Sequence, residues 1–145
     1  MENNTIYYVV GFLFNPDMTE VVLIKKNRPD WQKGLLNGVG GKIESGEDPI
    51  TAMIREFKEE TGLEIIDWFD LVEIKGNGYV CYFFYSVSKK YYDVKTKTDE
   101  MVFVKDCADL YYLPVIENLK WLIPMCKDKN FGISGKILKS TIEYL

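Results

Sequence analysis

Gly41–Leu63 reads GKIESGEDPITAMIREFKEETGL, and its reading decides the fold. Asp48 suits an N-cap, Pro49 suits the first helical position, and Gly62 suits the left-handed residue that ends a helix. Between them Ile50, Met53, Ile54 and Phe57 recur at helical spacing, predicting a helix from Asp48 to Thr61 with one buried face. Ala52, one turn before Glu56, is expected near the acidic face. At about 100° per residue, Glu56, Glu59 and Glu60 fall within an arc of roughly 100° on that face. Carboxylates three and four apart on a helix repel one another, so the cluster calls for a cation. Oxygen-only donors suit Mg²⁺ or Mn²⁺; a solvated acidic face is the simpler alternative.

Outward from the helix, the apolar runs read as strands. Thr5–Phe14 and Glu20–Lys26 flank the turn signal Asn15-Pro16-Asp17 and predict a hairpin. Asn27–Asn37 reads as a loop carrying Arg28, Trp31, Gln32 and Lys33, and Val39 begins a short strand into the glycines Gly38, Gly40 and Gly41. Glu64–Ile74 and Tyr79–Val87 read as strands joined through Asn77-Gly78. Lys89–Thr98 reads as a loop, Met101–Val104 as a short strand and Cys107–Leu110 as a helical turn. Val115–Cys126 has helical spacing that Pro124 is expected to kink or end. The tail from Phe131 reads equally as strand or coil. No repeat or linker divides the chain, so one domain over residues 1–145 is expected.

Composition sets bounds on partners. The formal net charge is −4, which offers no basic footprint for duplex nucleic acid. Neither a membrane span nor a signal peptide is apparent. Cys81, Cys107 and Cys126 lack metal-type spacing and read as reduced, structural thiols, which fits a cytoplasmic setting. The chain contains no histidine, which removes histidine as a general base and argues against zinc.

The quoted stretch resembles the box of the Nudix hydrolases, G-x5-E-x7-R-E-U-x-E-E-x-G-U with U bulky and apolar. Gly41, Glu47, Arg55, Glu56, Phe57, Glu59, Glu60, Gly62 and Leu63 match every defined position. Seven fixed residues at ordinary usage give a chance match on the order of 10⁻⁹ per starting position. The resemblance implies an α+β fold, an α/β/α sandwich with a mixed central sheet. It also implies Mg²⁺-dependent hydrolysis of a nucleoside diphosphate linked to another group. It further implies that Glu59 and Glu60 bind the metal ion, with the Gly40 carbonyl as a main-chain ligand, and that Glu56 is either a ligand or the general base. By the same resemblance Arg55 orients a glutamate, Glu47 is a weaker ligand or fixes its loop, and Glu100 of Asp99-Glu100-Met101 supplies a further catalytic or metal-binding acid.

The resemblance gives a coarser view of the substrate. Asn37-Gly38-Val39-Gly40-Gly41-Lys42 resembles the N-G-x-G-G-K of MutT-type enzymes that remove oxidised purine nucleotides. This implies hydrolysis of a purine nucleoside triphosphate, with 8-oxo-dGTP as one form, to monophosphate and pyrophosphate. Asn37 would read the base, because an amide both donates and accepts; the alternative is a turn-former before Gly38. Lys42 either contacts a phosphate or is simply exposed. Trp31, Tyr79, Phe83 and Trp121 are candidates for stacking on the base, with core packing as the alternative. Leu36 stands where the mammalian-type enzymes carry a tryptophan, and Glu117-Asn118 is only a loose analogue of their paired aspartates. An ADP-ribose, nucleotide-sugar or dinucleotide pyrophosphatase is the alternative, and a non-catalytic nucleotide sensor a third reading. The expected partner is a small nucleotide, bound by a monomer or homodimer.

Overall fold

The computed structural model describes residues 4–135 and 140–145. Its organising strand is β1 (Ile6–Phe14), whose two edges are used differently. One edge pairs in parallel with β6 (Tyr79–Val87) along its whole length, from Ile6 opposite Tyr79 to Phe14 opposite Val87. The other edge takes two antiparallel partners in succession. β4 (Val39–Lys42) pairs along Tyr8–Gly11, and β2 (Glu20–Lys25) pairs at Leu13 and Phe14, closing the expected hairpin. β2 carries β7 (Val102–Asp106) on one side and β3 (Leu36–Asn37) near its end. β5 (Phe69–Gly76) turns back on β6 through Asn77-Gly78 and pairs in parallel with β8 (Ser140–Glu143). The result is a mixed sheet between two helices, the expected α+β sandwich.

α1 (Pro49–Thr61) packs on one face of this sheet. Asp48 caps it as expected, its carboxylate accepting the Thr51 N–H at 2.8 Å, and Gly62 ends it with φ of 77°. A helix of 13 residues is marginal alone, so packing must hold it. Ala52, Met53, Phe57 and Thr61 are buried, whereas Ile50 is exposed. The buried stripe is therefore rotated from the expected one, and Ala52 belongs to it rather than to the acidic face. Because Ala52 and Glu56 lie one turn apart, Glu56 borders the buried stripe instead of standing in solvent. Gly11 lets the helix approach closely: a Cβ there would lie 2.7 Å from Met53 Cε and 2.8 Å from the Trp68 ring.

Two expectations along this face need correction. The strand expected from Glu64 begins only at Phe69. Ile65 and Trp68 are buried under α1, the Trp68 indole N–H donates to the Ile65 carbonyl at 2.9 Å, and its ring meets Phe57 edge-on at 5.2 Å. The apolar residues of this stretch thus serve the helix, not a ladder. The expected loop 27–37 contains a short 3-10 turn (Asp30–Gln32) and ends as β3.

α2 (Leu119–Phe131) covers the opposite face through Leu119, Leu122, Ile123 and Cys126, all buried. It begins later than Val115 and continues past Pro124, contrary to expectation. The apolar residues flanking the proline anchor the helix on both sides of the backbone bond that it forfeits. Cys81, Cys107 and Cys126 are free thiols in this core. A 3-10 turn occupies Lys89–Asp93 within the expected loop, and another covers Cys107–Tyr112. Of the ambiguous tail, residues 136–139 lie outside the described residues.

Candidate active site

Along β4 the glycines set how closely the strand approaches β1 on one side and α1 on the other. A Cβ on Gly40 would stand 1.8 Å from the Val9 carbonyl oxygen, so only glycine permits this approach. A Cβ on Gly41 would stand 2.5 Å from the Glu56 carboxyl carbon. The Glu56 carboxylate therefore lies against bare backbone, in a cradle that any side chain would fill.

Arg55 organises the start of the box. Its Nε and Nη2 donate to the two oxygens of Glu47 at 2.7 and 2.8 Å, and Nη2 also reaches the Lys42 carbonyl at 3.0 Å. Nη1 donates to Glu56 Oε1 at 2.9 Å and makes longer contacts with Glu59 at 3.3 and 3.4 Å. The fork thus ties the 42–47 loop to the helix with charge-assisted bonds. Glu47 also accepts the Glu44 N–H at 3.1 Å, so it fixes its loop rather than facing outward as a free donor.

Those bonds hold the Glu47 carboxyl down at about 2. A carboxyl depressed below its ordinary value stabilises the fold above that ordinary value and loses the contribution as pH falls. Wild-type protein is therefore expected to gain about 1 kcal/mol from the pair at neutral pH, at the solvent-screened end of charged hydrogen bonds. Thermal melts of wild type and Glu47→Gln should differ at pH 7 and converge as pH drops from about 4.5 to about 2. A gap that is constant across that window would contradict the pairing.

The second half of the cluster gathers around the end of α1. Glu60 Oε2 accepts from the Thr98 hydroxyl at 2.8 Å. Glu100 is 4% exposed, and both its oxygens are engaged, Oε1 by Lys26 Nζ at 3.1 Å and Oε2 by the Asn27 N–H at 2.6 Å. Arg28 and Asp99 pair outside it. Burial is the main force pushing the Glu56 and Glu60 carboxyls up, and neighbouring negative charge adds to it: Glu59 and Glu60 on Glu56, Glu100 and Glu59 on Glu60. Arg55 opposes the shift at Glu56; Thr98 and Lys26 oppose it at Glu60.

This donor set fits a divalent cation. It consists of hard oxygens under mutual repulsion, half withdrawn from water. Among the described residues no three acidic side chains already converge tightly enough to hold an ion. Arg55 Nη1 stands between Glu56 and Glu59, and Glu59 is exposed and held only by long contacts.

The other candidates are distributed unevenly. Asn37 is held on both sides of its amide: Oδ1 accepts the Gly38 N–H at 2.8 Å, and Nδ2 donates to Gln32 Oε1 at 3.2 Å. Lys42 is exposed at the strand end and meets Arg55 through its carbonyl. Trp31 is 68% exposed beside Gln32, and Trp121 is partly exposed on α2. Tyr79 is not brought to the carboxylates: Gly76 would have no room for a Cβ because the Tyr79 ring lies over it at the β5–β6 turn. Phe83 is buried and stacks on Phe12 at 6.3 Å, so it belongs to the core. Both follow from strand parity, since alternate β6 residues face the α2 side.

Thr98 and Gln32 gain importance that sequence alone did not give them, and Asn118, noted there only within Glu117-Asn118, gains a definite place. Thr98 and Gln32 are lone polar residues in loops, and their partners lie 38 and 5 positions away. Asn118 heads α2 without capping it. Among the described residues its Oδ1 is the buried side-chain atom that accepts no hydrogen bond. The segment before it runs beside β3, with Ile116 N–H donating to the Leu36 carbonyl and Leu36 N–H to the Pro114 carbonyl. Asn118 thus stands near the end of the strand that carries Asn37.

Comparison with known proteins gives the family and the fold. The family model described as NUDIX domain matches residues 5–122. A structure from a study of MutT from Aliivibrio salmonicida and Vibrio cholerae is similar, with 26% identity, a TM-score of 0.70 and coverage of 83% of this chain and 98% of the other. The NUDIX domain of Shewanella oneidensis NrtR, solved with ADP ribose, superposes with a TM-score of 0.75 at 18% identity, covering 87% and 88%. A MutT protein from Methanosarcina mazei shares the fold at 18% identity and a TM-score of 0.69, covering 90% and 98%. The methanol dehydrogenase activator of Bacillus methanolicus is 38% identical over 45 residues, which span 31% of this chain and 24% of that protein, so this chain matches about a quarter of that relative's length. Among the described residues no helix is long and apolar enough to cross a membrane.

Proposed function

The chain belongs to the NUDIX family; from that premise we propose that it is a pyrophosphohydrolase of nucleoside diphosphate-linked substrates, converting a purine nucleoside triphosphate, oxidised forms included, to the monophosphate and pyrophosphate, as a single domain with Mg²⁺ as its cofactor. The observation that carries this reading is the acidic cluster pressed against Gly41 and organised by Arg55. Glu56, Glu59, Glu60 and the Gly40 carbonyl would hold the ion, which supplies charge neutralisation for the phosphoryl oxygens and lowers the barrier to attack by water. Arg55 engages only Oε1 of Glu56, so Oε2 is the oxygen left either to face the ion or to take the proton of the attacking water. Burial strengthens Glu56 as an acceptor, because it disfavours the ionised form. Glu100, with both oxygens held, contributes negative charge rather than a free donor. Manganese substitutes for magnesium under the same donor chemistry.

The purine assignment rests on Asn37, set in place by Gln32. Asn37→Ala is expected to raise KM about tenfold for purine triphosphates while leaving pyrimidine triphosphates within about twofold, a difference of roughly 1.4 kcal/mol. Steady-state kinetics on the two classes checks this. Equal rises for all bases would reduce Asn37 to a structural element. Asn118→Ala should not lower the melting temperature, since its Oδ1 stabilises nothing in the free protein.

A further inference from the structure

We propose that Thr98 is a positioning residue for hydrolysis: its hydroxyl fixes one oxygen of Glu60 and so presents the other to the cation. This inference rests on the reading of Glu60 as a metal ligand. The hydroxyl has one hydrogen and two lone pairs. The Glu100 N–H points at Thr98 Oγ1 from 3.1 Å, which occupies a lone pair and leaves the hydrogen for Glu60 Oε2 at 2.8 Å. The direction of the bond is therefore set by the backbone. Glu60 Oε2 is pinned, and Oε1 remains available.

The segment that carries Thr98 is itself registered on the helix. Lys95 N–H donates to the Thr61 carbonyl at 2.9 Å and Lys97 N–H to the Glu60 carbonyl at 3.3 Å, which satisfies two carbonyls that the end of α1 would otherwise leave open. Thr96 Oγ1 accepts the Val102 N–H at 2.9 Å and anchors the segment to β7. Thr98 thus links the two acids at this end of the cluster, contacting the Glu60 side chain and the Glu100 backbone. Glu59 and Glu100 place negative charge near the Glu60 carboxylate. A neutral donor holds it there without adding positive charge, which an arginine or lysine in the same place would do at the expense of cation binding.

The test measures Mn²⁺ binding by electron paramagnetic resonance without nucleotide, together with steady-state kinetics, for wild type, Thr98→Val, Thr98→Ser and Glu60→Gln. Thr98→Val is expected to bind Mn²⁺ about tenfold more weakly and to lose about tenfold in kcat, with KM for the nucleotide within about twofold, as for other residues that orient metal ligands. Thr98→Ser keeps the donor and should lie within about threefold of wild type in both measurements. Glu60→Gln should lose Mn²⁺ binding more severely than Thr98→Val. Wild-type Mn²⁺ affinity in Thr98→Val alongside a deficient Glu60→Gln overturns the role of Thr98 alone. Equal damage from valine and serine also overturns it, because the hydroxyl would not be the cause. Unchanged binding in Glu60→Gln overturns the metal assignment and this inference with it.

Discussion

Glu60→Gln is expected to lower Mg²⁺-dependent turnover by about 10²–10⁴-fold while leaving the melting temperature unchanged or raised. The two halves of this result have one physical source. Burial and the charges of Glu100 and Glu59 disfavour the ionised form of Glu60. Glutamine removes the charge that the fold holds at a disadvantage and retains an oxygen to accept from Thr98. The charge is useful only to a cation, so its loss should appear in catalysis and not in folding. Kinetics and thermal melts on the same preparation check both halves. A fall in both stability and activity would indicate that Glu60 is a structural acid.

Arg55→Lys should show the opposite coupling, losing activity and stability together. The guanidinium donates at once to both oxygens of Glu47, to Glu56 Oε1 and to the Lys42 carbonyl. A lysine ammonium is a point charge and cannot span that fork. The 42–47 loop would loosen from α1, and Glu56 would lose the contact that selects its free oxygen. We expect kcat to fall about 10–100-fold with KM little changed, since the residue orients ligands rather than binding substrate. Stability should fall by about 1.5–3 kcal/mol, the range for hydrogen bonds to charged groups. Wild-type kinetics in Arg55→Lys would mean that the Glu56 orientation does not matter to the reaction.

What could be read in advance follows from how local each signal is. The box helix was legible to its caps, because Asp48, Pro49 and Gly62 act within a few residues of where they stand. The β1–β2 hairpin and the Asn77-Gly78 turn were legible for the same reason. The delayed start of β5 was not, since Ile65 and Trp68 look like strand residues until α1 is placed over them. The persistence of α2 through Pro124 and the pairing of β8 with β5 likewise depend on contacts far along the chain. In the site, the box pattern located Arg55 and its glutamates, and the structure explains the pattern: Gly41 makes room for Glu56, and Glu47 completes the Arg55 fork. Thr98 and Gln32 belong to no pattern, and Asn118 belongs only to the loose analogue Glu117-Asn118. A lone threonine or amide gains meaning only from the atom that folding brings beside it.

The central claim is that this acidic cluster drives metal-dependent hydrolysis of the bridge between the α and β phosphates of a purine nucleoside triphosphate, giving monophosphate and pyrophosphate. Its most direct test is product analysis after incubation with Mg²⁺ and, in separate reactions, dGTP, 8-oxo-dGTP, dCTP, ADP-ribose, NADH and a dinucleoside polyphosphate. The account predicts monophosphate and pyrophosphate in equal amounts from the purine triphosphates, little turnover of dCTP, and no turnover once the ion is chelated. Release of orthophosphate from the triphosphates, or efficient turnover of ADP-ribose with the triphosphates untouched, would contradict it.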